Sequence, residues 1–520
     1  MSLTHKSLLA FLWSGADVFL RQGLKFLVGI MLARLLTPED FGVIAMLYVF
    51  IGVADVFIDS GFSSSLIQRQ DITDTDQYTV FLFNLGMGAI AAITLCGAAP
   101  WIALFFKSSI LENLSYVMAM NLFIGALGSI HSTLLTKELN FRTITKVGGM
   151  ATLFSGMLAV IMAWRGFGVW SLAWQTVASS VITVVLLWYW HPWRPRWEFK
   201  LYSLSRLFRF GGFMMISGLL EALYTQLYAL LIGKLYTARE LGFYTRATNT
   251  QQFPVSILTS VLNRVAFPVF SVAATDPVKL AKGLRKLLML IMFFNIPAML
   301  GLAAVAEPFV VMLFGTKWLP SVPFLQVFCL AGVLVPLSYI NLNVLMAQGR
   351  SDLFFRLEVI KKIICVFFLV LASLHSIMAI AWIQPLIGLI VFFINAYYSG
   401  VLLGYGPWCQ LRDIMPFGLV AMIMAIIVDL TSQLLHWTSV FSLLPIAEWV
   451  ELLQYRLPVF EFINQLQQWS PASQFASLSV LGATFYFVTC SLLRLAAFNE
   501  FSEIIVQLNS LRLKPIKAEA

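Results

Sequence analysis

Fourteen apolar runs, most of them long enough to cross a lipid bilayer, limit the folds that are open to this sequence. A membrane-spanning helix needs about 20 residues that are mostly apolar. Only 11% of the residues are charged, whereas a soluble domain carries about 25%. The sequence therefore predicts an all-α polytopic membrane protein, with spans near 9–33, 41–66, 79–106, 112–135, 147–164, 169–190, 207–234, 241–262, 284–310, 321–347, 357–374, 377–403, 414–434 and 475–494.

The Lys and Arg residues predict the orientation of these spans. The net charge is +9, and the positive charges lie between the apolar runs instead of forming one patch. With the N-terminus in the cytoplasm, 24 of the 34 Lys and Arg residues lie on the cytoplasmic side and 8 on the opposite side. This bias follows the positive-inside rule and predicts that both termini are cytoplasmic. The same charges also favour contact with membrane lipids, and we expect no nucleic-acid partner.

A stretch at the non-cytoplasmic end of span one occurs again at the corresponding end of span seven. Residues 31–42 read MLARLLTPEDFG, and residues 231–242 read LIGKLYTARELG. An even number of spans separates the two copies, so both have the same orientation, as in transporters built from parallel repeats. Chance similarity between Leu-rich helices is the alternative. We interpret the match as a repeat of six spans.

This repeat predicts two parallel six-helix lobes that enclose a cleft, followed by two appended helices. The N-lobe comprises residues 1–205, with spans one to six, and the C-lobe comprises residues 206–405, with spans seven to twelve. Residues 406–496 hold spans thirteen and fourteen, with an outer amphipathic segment at 435–473. Residues 497–520 form a cytoplasmic amphipathic tail.

Charged residues inside span one are the first candidates for a substrate site. Asp17, Arg21 and Lys25 are spaced by four residues, so all three lie on one face of the helix. A charge at the bilayer centre costs about 3 kcal/mol on insertion scales, so we expect this face to line the cleft. The 200-residue register places Glu221 of span seven opposite Arg21. A buried ion pair that only holds the helices together is the alternative.

Four further charged residues lie within the predicted spans. Asp55 and Asp59 share a face of span two, where they could cap the helix or act at a lobe hinge as readily as contact substrate. Arg246 opens span eight beside a polar stripe that includes Asn249 and Gln251. It could bind a sugar or a phosphate, or extend to the membrane surface. Asp429 is a lone acid in span thirteen, which we interpret as a packing residue.

No catalytic or metal-binding pattern stands out in the sequence. The five histidines fall at span ends or in loops, without a nucleophile or carboxylate at motif spacing. The five cysteines are scattered through apolar runs, which indicates packing residues. A glycine-rich loop with a lysine that would hold ATP phosphates is also lacking. We therefore predict no metal, no cofactor and no enzymatic activity.

Several stretches resemble the polysaccharide exporters of the multidrug/oligosaccharidyl-lipid/polysaccharide flippase superfamily. They are ARLLTPEDFG after span one, ADVFIDSGFSSSLIQRQDIT in span two, RFGGFMMISG in span seven, NRVAFPVFS after span eight and FGTKWLPSVPFLQVF before span ten. The likeness is greatest to the colanic-acid-exporter type of lipopolysaccharide flippase, and it covers roughly residues 5–400. The outer segment 435–473 is longer than is usual in these proteins.

This resemblance implies a bacterial inner-membrane flippase. Such a protein moves an undecaprenyl-pyrophosphate-linked oligosaccharide from the cytoplasmic to the periplasmic leaflet, and other polysaccharide assembly proteins are further partners. With the residues above, it predicts alternating access and an anionic substrate that enters the cleft near Arg21 and Lys25. The alternatives are a multidrug–cation antiporter of the same architecture and a membrane-embedded polysaccharide enzyme.

Overall fold

Helices make up all the regular structure that the computed structural model describes, which covers residues 22–59, 61–273, 276–441, 470–493, 495 and 498. In chain order they are α1 (22–35), α2 (Pro38–Asp59), α3 (Phe62–Gln68), α4 (Asp74–Phe106), α5 (Ile110–Lys137), α6 (Phe141–Trp164), α7 (Trp170–Trp190), α8 (Leu201–Leu235), α9 (Ala238–Ala273), α10 (Pro277–Ala304), α11 (Ala306–Phe314), a 3₁₀ helix (Thr316–Ser321), α12 (Val322–Ala347), α13 (Ser351–Ser373), α14 (Ile377–Leu403), α15 (Pro407–Phe441) and α16 (Pro471–Leu492).

Eleven of these helical segments are long and apolar enough to cross a membrane. The prediction of an all-α polytopic membrane protein is confirmed. Predicted spans one, eight and eleven fall on α1, α9 and α13, which are not among these eleven segments. The total of fourteen spans stays a prediction. The predicted segments 435–473 and 497–520 lie mostly outside the described residues.

Helix ends follow local capping chemistry. Thr73 and Asp76 form a reciprocal capping box at the start of α4, and the Asp276 carboxylate accepts from the first N–H groups of α10. Predicted span two, at 41–66, is two helices, because α2 ends at Asp59 and α3 begins at Phe62. Between them Gly61 has φ of 66°, a left-handed conformation that favours glycine.

The chain forms two compact units. Unit 1 comprises Met1–Arg246 with Ser373–Ile377, and unit 2 comprises Ala247–Ala372 with Met378–Ala520. In unit 1 a core of Phe62, Phe81, Leu134 and Leu207 joins α3, α4, α5 and α8. The predicted lobes at 1–205 and 206–405 stay a prediction.

Unit 2 has its own core on α10, α12, α14, α15 and α16. Phe293 of α10 lies at its centre, fully buried, and its backbone carbonyl accepts a hydrogen bond of 2.9 Å from the Tyr486 hydroxyl of α16. Phe417 of α15 and Phe392 of α14 complete the aromatic part of this cluster. The appended helix α16 is therefore part of the packed interior of unit 2.

Candidate functional site

The two copies of the repeated stretch form the same helix corner. In the first corner, Thr37 and Asp40 cap the start of α2: the Thr37 N–H and hydroxyl donate to one Asp40 carboxylate oxygen at 2.8 and 2.7 Å. In the second, the Thr237 N–H and hydroxyl donate to a Glu240 carboxylate oxygen at 2.9 and 2.8 Å at the start of α9. Each corner is thus a capping box that turns one helix into the next.

The two corners also pack against each other. A Cβ built on Gly42 would lie 1.6 Å from the backbone oxygen of Ala238, and one built on Gly242 would lie 1.8 Å from the backbone oxygen of Pro38. In the 200-residue register Gly42 corresponds to Gly242 and Pro38 to Ala238, so the contact is reciprocal. Only glycine permits backbones to approach this closely. Each repeated stretch must therefore end in glycine, because the backbone of the other copy occupies the place of a side chain.

Arg246 lies just beyond the second corner and is 8% exposed. Its guanidinium carbon is 4.4 Å from the centre of the Phe41 ring, a cation–π contact. One of its terminal nitrogens would lie 3.4 Å from a Cβ on Gly29 of α1. The residue at the equivalent position of the first copy is Met46, which packs on Gly233 of α8. The repeat therefore carries this positive charge in one copy only.

Lys25 lies on the same side of α1 as Gly29, the residue that Arg246 approaches. It precedes Gly29 by four residues, which places the two residues one turn apart on one helix face. The Lys25 side chain is exposed. The structure thus brings two of the predicted site residues, Lys25 and Arg246, to one face of α1. Asp17 and Arg21 lie outside the described residues.

The predicted acidic residues lie on α2 and α8, which pack together closely. The Gln226 side-chain nitrogen of α8 would lie 2.7 Å from a Cβ on Gly52 of α2. Glu221 is exposed on α8, and Asp55 and Asp59 are exposed on α2. At the end of α2, a Cβ on Gly61 would lie 2.2 Å from the Gly211 backbone oxygen of α8. The break between α2 and α3 therefore lies at a point where the backbone of α8 leaves no room for a side chain on residue 61.

The charges on the face of α1 decide what it can bind. Two cations on one helix face attract an anion, and a planar guanidinium held on an aromatic ring keeps its donors in a fixed plane. Within the described ranges, no group of three or more His, Cys, Asp or Glu residues could hold a metal ion. The cationic side chains on this face are therefore chemically suited to a negatively charged group.

Comparison with known proteins places the chain in a family. The sequence profile described as "Polysaccharide biosynthesis protein" matches residues 31–323, which is more than half of the chain and includes both corners. The chain belongs to this polysaccharide biosynthesis protein family. The resemblance to polysaccharide flippases of the multidrug/oligosaccharidyl-lipid/polysaccharide superfamily is confirmed.

Curated relatives of this family protein cover most of its length. It is 28% identical over 388 residues to the teichuronic acid biosynthesis protein TuaB of Bacillus subtilis (strain 168), covering 72% of this chain and 78% of that one. It is 29% identical over 367 residues to the lipopolysaccharide biosynthesis protein WzxC of Escherichia coli (strain K12), covering 69% and 74%. The first relative is named for the biosynthesis of teichuronic acid and the second for the biosynthesis of lipopolysaccharide.

A solved structure shares the fold of this polysaccharide biosynthesis family protein. The lipid II flippase MurJ in an inward closed conformation superposes with a TM-score of 0.70, covering 93% of this chain and 98% of that one. The sequence identity is 14%, so the likeness shows the fold alone.

Unit 2 of this family protein contains a buried charge that the sequence pattern did not predict. Lys361, one of the 24 Lys and Arg residues predicted on the cytoplasmic side, lies inside α13 and is 8% exposed. Its ammonium forms an ion pair with Glu358 one turn earlier and lies 3.4 Å from the Asn395 side-chain oxygen of α14. The spacing of Glu358 and Lys361 was the signal available, because an acid and a base three residues apart lie on one helix face.

Proposed function

We propose that this protein is a flippase of the bacterial inner membrane that moves a lipid-linked oligosaccharide from the cytoplasmic to the periplasmic leaflet for surface polysaccharide biosynthesis. The observation that carries the proposal is the pair of reciprocally packed corners, with Lys25 and Arg246 on one face of the adjoining helix, in a chain of the polysaccharide biosynthesis family. The names of TuaB and WzxC support the polysaccharide pathway.

The substrate that we propose is an oligosaccharide carried on undecaprenyl pyrophosphate. Its pyrophosphate is anionic, and Lys25 and Arg246 offer an ammonium and a guanidinium on one side of α1. A charge-assisted hydrogen bond is roughly twice as strong as a neutral one, and it gains strength where water is excluded. Arg21, one turn before Lys25 on the same face, would extend this cationic surface. The polyprenyl tail would remain in lipid.

The paired corners fit the role of a closure in alternating access. The topology predicted from Lys and Arg places both corners at the periplasmic ends of their spans. In the structure the corners are in backbone contact, Gly42 with Ala238 and Gly242 with Pro38. We propose that this contact closes the periplasmic end and separates when substrate is released there.

A leaflet-transfer assay tests the proposed function. Purified protein would be placed in vesicles with undecaprenyl-pyrophosphate oligosaccharide extracted from the native host, labelled on its sugars. Exposure of the label to a membrane-impermeant quencher reports which leaflet holds it. We expect the exposed fraction to change faster than in empty vesicles, and more slowly with Arg246→Met. Transfer at the rate of empty vesicles by folded protein would overturn the proposal.

The same assay separates a flippase from a polysaccharide enzyme. A flippase returns the substrate with its sugar chain unchanged, whereas a polymerase or a glycosyltransferase alters the length of that chain. Substrate recovered from the vesicles would be resolved by mass. Longer or shorter chains in proportion to the amount of protein would favour the enzyme instead.

A further inference from the structure

A separate cavity of about 500 Å³ lies within unit 2. It lies at the end of the bundle where α10 ends, α12 and α14 begin, and α15 passes between residues 422 and 430. Pockets that bind drug-sized molecules have volumes of roughly 300–1,000 Å³ and mostly apolar walls. This cavity has the size of such a pocket, and the charged face of α1 contributes nothing to it.

The walls of the cavity are apolar, with only a few polar side-chain atoms. Leu300, Val327, Leu330 and Ile426 supply much of the lining. Among the described residues of the lining, Gln326, Trp382 and Asp429 have side-chain nitrogen or oxygen atoms, and none is Lys, Arg or His. Asp429 is therefore the one charged group among the described residues that line this cavity.

The hydrogen bonds of these residues show which of their polar atoms could contact a ligand. The Gln326 amide nitrogen donates to the Ala303 backbone oxygen at 3.3 Å, which leaves the amide oxygen as an acceptor. One Asp429 oxygen accepts from the Gln433 amide at 2.7 Å, and the second carboxylate oxygen has no hydrogen-bond partner within the described part of the chain. Trp382 is 53% exposed and contributes an aromatic ring to the lining. A carboxylate, a carbonyl-type oxygen and an aromatic face all attract a positive charge.

We propose that this cavity binds a lipophilic organic cation of drug size with a single positive charge. The carboxylate of Asp429 would pair with the charge, Trp382 would lie against it, and the apolar walls would hold the hydrocarbon part. An anion, including a pyrophosphate, would be repelled by Asp429. A carboxylate at membrane depth is costly unless a partner charge or water stabilises it, so pairing with a bound cation gains free energy.

The test uses tetraphenylphosphonium as the probe, with the full-length protein in an uncharged maltoside detergent. Equilibrium dialysis should show one saturable site. We expect Asp429→Asn to weaken binding at least tenfold and Trp382→Leu to weaken it several-fold. The matched control is Asp276→Asn, which removes one negative charge from unit 2 outside the cavity and retains a residue that caps α10, so its affinity should stay within twofold of the parent.

A second variant acts through volume and leaves the charge in place. Leu330→Trp should fill the cavity and reduce tetraphenylphosphonium binding at least tenfold, while the midpoint of thermal unfolding shows that the protein still folds. The neutral compound triphenylphosphine oxide should bind at least tenfold more weakly than the cation. Equal affinity of Asp429→Asn and the parent, or equal affinity for the neutral probe, would overturn the proposal.

The ammonium of a membrane lipid shares part of this chemistry, and a competition experiment separates it from an organic cation. Phosphatidylethanolamine and phosphatidylglycerol would be added separately at the same mole ratios. We expect neither lipid to displace the bound tetraphenylphosphonium. Displacement by phosphatidylethanolamine alone would assign the cavity to a lipid and overturn the proposal. These readouts measure binding without transport, so their outcome is independent of the flippase assay.

Discussion

The backbone oxygen of Pro38 lies where a side chain on Gly242 would begin, 1.8 Å from an ideal Cβ. Gly42 stands in the same relation to Ala238, so each copy of the repeated corner supplies the space that the other copy needs. A repeat recognised in the sequence is thereby a contact in the structure. This contact links the motif to the proposed periplasmic closure.

Substitution of Gly242 by alanine should damage this contact. We expect Gly242→Ala to lower stability by about 3 kcal/mol, the upper end of the usual cost of overpacking, because the obstacle is backbone and cannot change rotamer. Thermal unfolding of the purified protein would measure the effect. Gly125→Ala is the control, since a Cβ on this helical glycine meets nothing within 4 Å. Equal unfolding midpoints for the two variants would contradict the reciprocal contact.

Replacement of Arg246 tests the cation beyond the second corner. We expect Arg246→Met, which reproduces the residue of the first copy, to slow leaflet transfer at least tenfold, since it removes both the charge and the stacking on Phe41. Arg246→Lys should have an intermediate rate, because an ammonium keeps the charge and loses the planar contact.

The control for Arg246 is Arg165→Met, at an exposed position of unit 1. Its transfer rate should match that of the parent protein. If Arg246→Met also transfers substrate at the parent rate while remaining folded, Arg246 has no part in substrate movement.

Lys25 should be required for transport through its charge. We expect Lys25→Ala to cause lipid-linked oligosaccharide to accumulate in the cytoplasmic leaflet of the native host, and Lys25→Arg to retain most surface polysaccharide. Arg21→Ala should behave as Lys25→Ala does. Lys146→Ala is the matched control, because Lys146 is an exposed lysine of α6 in the same unit. Normal surface polysaccharide in Lys25→Ala cells with normal protein levels would remove the site assignment.

The buried ion pair of α13 predicts an effect on stability that depends on both partners. Removing one partner of a buried pair leaves an uncompensated charge and costs about 3 kcal/mol, whereas replacing both with apolar residues is often neutral. We therefore expect Lys361→Met to lower the unfolding midpoint and Lys361→Met with Glu358→Leu to restore much of it.

A double-mutant cycle on these two residues measures the coupling directly. Lys282→Met is the control, because Lys282 is an exposed lysine of unit 2. A double variant no more stable than Lys361→Met alone would show that Glu358 is not the partner that matters.

The membrane helices and the repeated corner were readable from the sequence for a simple reason. Hydropathy and helix capping are local: an apolar run of sufficient length must become a membrane helix, and a Thr followed three residues later by Asp or Glu caps a helix in either copy. The break after Asp59 was open to the same reasoning, since Gly61 permits a conformation that other residues avoid.

The tertiary structure decided which of these local features meet. Sequence spacing placed Lys25 on one face of α1 but could not show that Arg246, more than 200 residues later, lies against Gly29 on that face. Nor could it show that Lys361 is buried, because a lysine near a span end is usually at the surface. Contacts between distant segments depend on how whole helices pack, and a pattern of residues along one helix does not record which neighbour covers it.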